Sequence, residues 1–552
     1  MKSDLEIAQS AHLKKIEDVA KKINVTQEAL VNFGPHMAKI NLKGLRQTEK
    51  KDGKLILVTA MSPTPAGEGK TTTTIGLTDA IASQGKSVIA CLREPSLGPV
   101  FGMKGGATGG GYAQAIPMEN INLHFTGDFH AITSANNLLS ALIDNHIYHG
   151  NELGIDPDAI TFKRGLDMND RSLRKVTIDN ARYQYQGGFD ISVASEVMAI
   201  FCLASSLDDL TNRLGEIQVA QNLDKNKSPI FAKDLKAQGS MAALLKDAFM
   251  PNLVQTLEHN PVLIHGGPFA NIAHGCNSYI ATQLGVDMAD YVVTEAGFGA
   301  DLGAEKFIDI KCRQTGLKPS LIVIVATIRA MKYHGGKKVE DLNDQDLNAL
   351  EKGFSNLERH IENCSQHFGL NIVVAINHFQ TDTDEEVKFV QEKVEDLGFK
   401  AILCSHWGHG SKGAEALAQE VITLVEKPNQ FKFLYDTKDS IASKLSIIAQ
   451  KIYRAKDVKF EDEALIQLKK IEDEYAHFPV CIAKTPYSFS GDPKGIGAVS
   501  DHILTIREIR LVRGAGFIVA ICGSVMTMPG LPLKPASEGI SINNNGEIEG
   551  LS

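Results

Sequence analysis

Residues 64–71, with the sequence TPAGEGKT, place two glycines, a lysine and a threonine between an apolar segment and a helix-like one. Gly67 and Gly69 allow the backbone to turn so that its N–H groups point at an anion. The N-terminus of the following helix attracts negative charge as well. The spacing nearly matches the pattern G-x-x-x-x-G-K-[ST], with Thr64 in place of the first glycine.

This segment predicts a loop that binds the phosphates of ATP or GTP. Lys70 is expected to reach the β- and γ-phosphates, and the Thr71 hydroxyl is expected to bind Mg²⁺. The remaining residues expected around the phosphates are Thr64, Pro65, Ala66, Gly67, Glu68 and Gly69. The alternative is an ordinary glycine-rich turn. The motif does not say which group accepts the phosphoryl group.

Charged residues follow two further strand-like segments. Arg93 and Glu94 come directly after Ser87–Leu92, at the kind of strand end where open parallel sheets bind ligands. An arginine there could clamp a phosphate or carboxylate, or the pair could close a surface turn. Asp128 follows Ile121–Phe125, which we interpret as a strand, and it could hold Mg²⁺ or cap the next helix.

The segment 102–112, GMKGGATGGGY, has six glycines in eleven residues. Such a composition suits neither a helix nor a stable strand. It is typical of a flexible linker or of a backbone that approaches a ligand closely. The embedded Lys104 and Tyr112 favour a loop of the active site.

Aromatic side chains also occur at predicted strand ends. Trp407, the only tryptophan, follows Ala401–Cys404, and Phe379 follows Ile372–Ile376. Phe298 lies just beyond Tyr291–Thr294. These rings could stack on a planar heterocycle, or they could pack in the core. The histidines at 378, 406 and 409 lack the spacing of a zinc site, so no transition-metal site is predicted.

The elements that must position these residues alternate between strand-like and helix-like. Helical patterns cover 71–83, 344–367, 384–396 and 412–426. This alternation predicts an α/β fold: a mostly parallel sheet of the phosphate-loop type, with helices on both faces and smaller α/β C-terminal domains. The expected division is a nucleotide domain at 1–360, a domain at 361–455 that contributes to the ring site, and a C-terminal domain at 456–552.

Composition and charge exclude several classes of protein. The 552 residues carry 57 Lys+Arg and 66 Asp+Glu, a net charge of −9, which argues against a nucleic-acid partner. The longest strongly apolar run, Leu321–Ala326, is too short for a membrane span, so no membrane partner is expected. The N-terminus lacks a signal-peptide pattern, and eight cysteines without C-x-x-C spacing suggest buried thiols. We therefore expect a soluble cytoplasmic enzyme.

Two longer segments resemble the signatures of the formate–tetrahydrofolate ligase family. The run 102–112 is similar to its glycine-rich signature, with Thr108 where alanine is usual. Residues 325–336, VATIRAMKYHGG, are similar to the second, with Met331 where leucine is usual. Two further segments are also similar to sequences of this family: residues 63–73, PTPAGEGKTTT, and residues 93–99, REPSLGP. The resemblance covers essentially the whole chain, at the length of the monofunctional form.

The resemblance implies an ATP-dependent ligase of one-carbon metabolism. Formate would attack the γ-phosphorus of MgATP to give formyl phosphate, and N10 of tetrahydrofolate would then take the formyl group to give 10-formyltetrahydrofolate. A homotetramer activated by K⁺ or NH₄⁺ is expected. Arg93 matches an arginine of the family that contacts formyl phosphate, so the resemblance implies this contact for Arg93. Lys70, Glu94 and Asp128 complete the expected catalytic set.

Two other classes of protein have similar phosphate loops. One is the nucleotide-switch ATPase of the partitioning or carrier type, and the other is a different carboxylate-activating ligase, such as a biotin-pathway synthetase. The segments 102–112 and 325–336 argue against both classes.

Overall fold

The computed structural model describes residues 2–45, 50–65, 67–103, 108–180 and 182–551. Within these residues, twelve strands form one large sheet. In chain order they are β1 Leu30–Asn32, β2 Ala38–Ile40, β3 Lys54–Ala60, β4 Val88–Leu92, β5 Gly109–Gly110, β6 Ala113–Ile116, β7 Asn252–Thr256, β8 Pro261–Ile264, β9 Tyr291–Glu295, β10 Leu321–Ala326, β11 Asn371–Asn377 and β12 Ala401–Cys404.

Most of this sheet is parallel. The neighbouring strands β8, β4, β9, β3, β10, β11 and β12 pair in that order, and each pair is parallel. Strands β7, β2 and β1 extend the sheet beyond β8 with antiparallel pairing, and the short β5–β6 hairpin joins β7. The four strands predicted in the parallel part, Ser87–Leu92, Tyr291–Thr294, Ile372–Ile376 and Ala401–Cys404, are confirmed to within about one residue at each end.

Helices cover both faces of the sheet, as the sequence predicts. Leu55 and Leu57 of β3 belong to one core with the helices Tyr279–Met288 and Leu347–Glu362. Ile56 and Val58 belong to another core with Lys70–Ser83 and Glu415–Val425. Successive side chains of a strand point to opposite faces, so a fully apolar strand requires a cover on each side. The α/β fold class is thereby confirmed.

The remaining helices and strands lie around this sheet. Their helices are Asp4–Gln9, Ile16–Lys21, Leu97–Phe101, Met118–Asn122, Asp128–Tyr148, Glu196–Leu203, Leu207–Gly215, Gln238–Leu245, Gly303–Lys306, Arg313–Thr315, Ile328–His334, Asp384–Asp396, His406–His409, Ile441–Lys451 and Asp462–Tyr475. The smaller sheets pair Arg164–Leu166 with Phe189–Ile191, Val176–Asp179 with Gln184–Gly187, Gln218–Gln221 with Pro229–Phe231, Asp457–Phe460 with Ile503–Ile506, and Ser541–Ile542 with Ile548–Glu549; a three-stranded sheet holds Val480–Ala483, Phe517–Ile521 and Glu508–Val512.

The division into three domains stays a prediction. Residues 361–455 supply β11 and β12, which continue the same sheet as β3. The C-terminal region has its own three-stranded sheet and two longer helices, at Ile441–Lys451 and Asp462–Tyr475. None of the described helices combines the length and apolar composition that crossing a bilayer requires.

One predicted strand is wrong. Ile121–Phe125 is not extended: its first two residues end the helix Met118–Asn122, the next three form turns, and Phe125 has a φ of 43°. Pro117 is the N-cap residue of that helix, a location where a missing N–H costs nothing. Asp128 therefore follows a helical turn, and it is the first residue of the helix Asp128–Tyr148.

Candidate functional site

The predicted phosphate loop connects β3 with the helix Lys70–Ser83 at the carboxyl edge of the parallel sheet. Gly67 and Gly69 have φ values of 83° and 74°, in the left-handed region that favours glycine. Gly69 is the N-cap residue, and no side chain in the described part of the chain caps this helix. The first N–H groups of the helix thus remain available to an anion, as in known phosphate sites.

Side chains from neighbouring strand ends hold the loop from behind. The buried Glu68 carboxylate accepts a hydrogen bond from the Thr64 N–H at 2.7 Å and another from the Thr327 hydroxyl. Burial raises the pKa of Glu68, while these two donors oppose that shift. The Asn377 side chain donates to the Glu68 carbonyl at 3.2 Å. The side chain of Glu68 therefore has a structural role, and only its backbone is left for a ligand.

A Gly69→Ala substitution tests this packing. An added Cβ would lie 2.4 Å from Asn377 Nδ2, in addition to the left-handed backbone strain. We expect nucleotide affinity to fall at least about tenfold, or about 1.4 kcal/mol, measured by titration calorimetry. Gly85→Ala is the matched control, since its φ is 75° and no described atom lies within 4 Å of the new Cβ. Equal nucleotide affinity in both variants would contradict the prediction.

Glu295, which the sequence did not single out, joins two predicted residues. It ends β9, the strand between β3 and β4. Thr71 Oγ1 donates to Glu295 Oε2 at 2.7 Å, and Arg93 Nε lies 3.7 Å from Glu295 Oε1. Both Arg93 Nε and Glu295 Oε1 are buried without a hydrogen-bond partner among the described residues. Unsatisfied buried polar atoms of this kind are typical of a site that binds a ligand, a water molecule or an ion.

Arg93 lies against the loop that follows β9. A Cβ on Gly297 would be 2.9 Å from Arg93 Nη1, so the guanidinium group passes directly over that glycine. Phe298 is half-buried next to it, with a φ of 61° that is unusual for a bulky residue. About a quarter of the Arg93 side chain remains exposed. Arg93 thus lies against the residue that precedes Phe298, and Glu295 connects it with Thr71.

Glu94 and Asp128 lie behind this group, in the interior. Asp128 accepts hydrogen bonds from Lys39 Nζ and Asn252 Nδ2, both at 2.7 Å, and all three side chains are buried. Burial and the nearby Asp128 raise the pKa of Glu94 well above its usual value. Because Lys39 and Asn252 donate to different oxygens of Asp128, both oxygens are already paired. This arrangement does not support the expected Mg²⁺ contact of Asp128 at a strand end.

Trp407 and Tyr112 come from segments almost 300 residues apart and meet through the backbone. The Tyr112 N–H donates to the Trp407 carbonyl at 2.7 Å. The indole packs against Gly110 and Gly111: a Cβ on Gly111 would collide with it at 2.7 Å, one on Gly110 would be in tight contact at 3.2 Å, and the side chain remains 36% exposed. Next to both residues is a cavity of about 430 Å³, lined by Tyr112 and Gly408–Gly410 among others. The absence of side chains at Gly110 and Gly111 thus makes room for the indole of Trp407.

The preceding residue, His406, attaches this segment to the phosphate-loop helix. Its side chain packs on Gly76, where a Cβ would lie 2.7 Å from His406 Cβ, and its Nε2 is 3.3 Å from the Thr73 hydroxyl. Burial lowers the pKa of His406 to about 4, so the ring is neutral at physiological pH. The Trp407 segment is therefore fixed relative to the loop.

Phe379 follows β11 two residues after Asn377, so the ring and the loop support share one strand end. Its half-buried ring stacks under the Arg329 guanidinium at 5.1 Å. Ala66 and Lys104 lie outside the described residues. No group of three or more His, Cys, Asp or Glu suited to a metal ion occurs in the described part of the chain.

Comparison with known proteins agrees with these features. The sequence model of the family described as formate–tetrahydrofolate ligase matches residues 2–552. Formate–tetrahydrofolate ligases of Pelagibacter ubique and Methylorubrum populi are 59% and 58% identical to this chain, over its full length and over 99% and 100% of theirs. The resemblance inferred from the two signatures is thus confirmed, as is the prediction of a ligase. The chain belongs to the formate–tetrahydrofolate ligase family.

Proposed function

We propose that this protein ligates formate to tetrahydrofolate at the expense of ATP, with formyl phosphate as the intermediate. The observation that supports this proposal most directly is the group formed by the phosphate loop, Thr71, Glu295 and Arg93. It combines an anion-binding helix N-terminus with a hydroxyl, a carboxylate and a guanidinium group. These are the parts that phosphoryl transfer to a carboxylate requires.

In the first proposed step, a formate oxygen attacks the γ-phosphorus of ATP and ADP leaves. In the second, N10 of tetrahydrofolate attacks the formyl carbon, the C–O bond to phosphate breaks, and the N10 proton is lost. Lys70 and Arg93 balance the charge of the transferring group and hold the reactants in place. No covalent enzyme intermediate is needed, since phosphorylation already makes the formate oxygen a good leaving group.

Thr71 and Glu295 fit the Mg²⁺ that accompanies ATP. Their oxygen atoms are the donors that Mg²⁺ prefers, and Glu295 Oε1 has no hydrogen bond from any described residue. Mg²⁺ would offset the negative charge of the phosphates. The structure thus favours Glu295 over Asp128 for this role.

Glu94 and Asp128 fit the expected monovalent cation better than a direct catalytic role. Glu94 Oε2 is buried and accepts no hydrogen bond within the described residues, and Asp128 is close enough to raise the pKa of Glu94. Two neighbouring buried carboxylates favour either a shared proton or a cation between them. Because both oxygens of Asp128 already accept hydrogen bonds, we propose K⁺ or NH₄⁺ at Glu94 Oε2, the oxygen of this pair that has no partner among the described residues. The homotetramer and the cytoplasmic location stay predictions.

The rings of Trp407 and Tyr112, which are exposed, and those of Phe379 and Phe298, which are half-buried, are the proposed contacts of adenine and pterin. Replacing Trp407 by alanine should weaken folate or nucleotide binding by about 1–3 kcal/mol, as measured by calorimetric titration. Tyr148→Ala is a suitable control, because Tyr148 is 38% exposed and lies on the helix Asp128–Tyr148. Unchanged affinity for both ligands in Trp407→Ala would show that the indole is only structural.

A product assay tests the proposed function. The protein is mixed with MgATP, formate and tetrahydrofolate, and the solution is then acidified to form the methenyl chromophore. We expect product only when all three substrates are present. Absence of product, with ATP hydrolysis that continues without formate and folate, would instead favour a nucleotide-switch ATPase.

A further inference from the structure

A second cavity, of about 690 Å³, lies far from the phosphate loop. None of its lining residues belongs to the loop or to the proposed ring contacts. The helical segment 303–315 begins just after the carboxyl end of β9 and ends near the cavity, before the amino end of β10. At 1.5 Å per residue this segment spans about 20 Å, so the cavity is at the opposite edge of the sheet from the loop.

Three arginines from distant parts of the chain line this cavity. Arg213 lies in the last turn of the helix Leu207–Gly215, Arg313 begins the short helix Arg313–Thr315, and Arg513 follows the strand Glu508–Val512. Lys233 is the fourth cation. The carboxylates in the lining are Asp209 and Glu216, so the lining carries an excess of positive charge in a protein whose net charge is −9.

The carboxylates do not neutralise all of these positive charges. Glu216 forms ion pairs with two cations, Lys233 at 2.5 Å and Arg513 at 2.9 Å. Arg213 Nε is 3.0 Å from Asp209, and Arg313 pairs with the buried Asp309 outside the lining. Even with Asp309 included, one positive charge remains in excess.

Two of the guanidinium groups keep donors for a ligand. Among the described residues, no acceptor receives a hydrogen bond from Arg213 Nη2 or Arg313 Nη1. A guanidinium group with unused N–H donors binds phosphate or carboxylate oxygens well.

Aromatic rings hold these cations in place before any ligand arrives. The Arg313 guanidinium lies 4.2 Å from the centre of the Phe433 ring and 4.6 Å from that of Tyr435. Arg513 lies 4.3 Å from the centre of the Phe231 ring. Cations that are already oriented lose little side-chain entropy on binding, and the volume of the cavity is that of a small-molecule site.

We propose that this cavity binds a small polyanion, a molecule with two or more phosphate or carboxylate groups, bridging Arg213, Arg313 and Arg513. Such a ligand connects three segments that are far apart in the sequence, and it stabilises the folded protein by mass action. The site does not depend on the proposed reaction, because it shares no residue with the proposed catalytic or ring contacts.

Calorimetric titration with pyrophosphate, citrate and triglutamate tests this proposal. The full-length Lys70→Ala protein is used in every arm, so that binding at the phosphate loop is weakened. We expect at least one probe to bind, and the affinity to fall at least tenfold in both Arg213→Gln and Arg513→Gln. Pyrophosphate alone would identify a phosphate ligand, and citrate or triglutamate alone a carboxylate ligand.

Arg510→Gln is the matched control, because Arg510 lies on Glu508–Val512, the strand that Arg513 follows, and does not line the cavity. Its affinity for the probe should be unchanged. If a glutamine variant fails to fold, the lysine variant at the same position keeps the charge and should still lose at least threefold in affinity. The proposal is overturned if no probe binds at millimolar concentration, or if the arginine variants and the control bind equally.

Discussion

The Lys70→Ala protein is expected to fold normally and to lose at least about a hundredfold in turnover of formate and tetrahydrofolate. Lys70 is the first residue of the helix after the phosphate loop and is only partly buried. Alanine is a good helix former, so we expect little loss of stability. The loss of charge removes stabilisation from the transferring phosphoryl group, and one such interaction is commonly worth about 10²–10³ in rate.

Turnover is measured with the methenyl assay, and folding is measured by thermal unfolding. Lys86→Ala is the control, since Lys86 is exposed just beyond the other end of the same helix. It should retain full activity. If Lys70→Ala keeps activity within a few-fold of the unmodified protein, then Lys70 has no part in the mechanism and the proposed site is wrong.

Glu295→Gln should have an effect of similar size, for a different reason. The amide keeps the shape of the side chain but removes the charge that faces Arg93 and the Thr71 hydroxyl. We expect turnover to fall about a hundredfold and the Mg²⁺ concentration for half-maximal activity to rise. A change in turnover with an unaltered Mg²⁺ requirement would assign Glu295 to positioning Arg93 alone.

Asp290→Asn is the control for this substitution. Asp290 immediately precedes β9, at the end opposite Glu295, and its exposed carboxylate pairs with Lys51 at 2.9 Å. Exposed ion pairs contribute little to stability, so activity and Mg²⁺ dependence should not change. Equal losses of activity in both variants would show that substitutions at either end of β9 lower activity in general, without a specific role for Glu295.

Much of the fold could be predicted because local patterns agree with it. The run Leu321–Ala326 is apolar at every position, and a strand buried on both faces requires that composition. The loop at 64–71 could be predicted for a similar reason, since glycines with positive φ and a helix start are local properties. By contrast, the apolar spacing of Ile121–Phe125 suits a strand, but the turn after Pro117 favours a helix.

The amino-acid order alone was enough to indicate the parallel sheet, the glycine loop between β3 and its helix, and the family, because each depends on residues close together in the chain. Pairs that meet across the sheet depend on strand order, and local sequence does not encode that order. Glu295 reaches Thr71 because β9 lies between β3 and β4, although more than 220 residues separate the two side chains. Asp128 turns inward for the same reason: on the adjacent strands β2 and β7, Lys39 neutralises its charge and Asn252 donates a hydrogen bond to it.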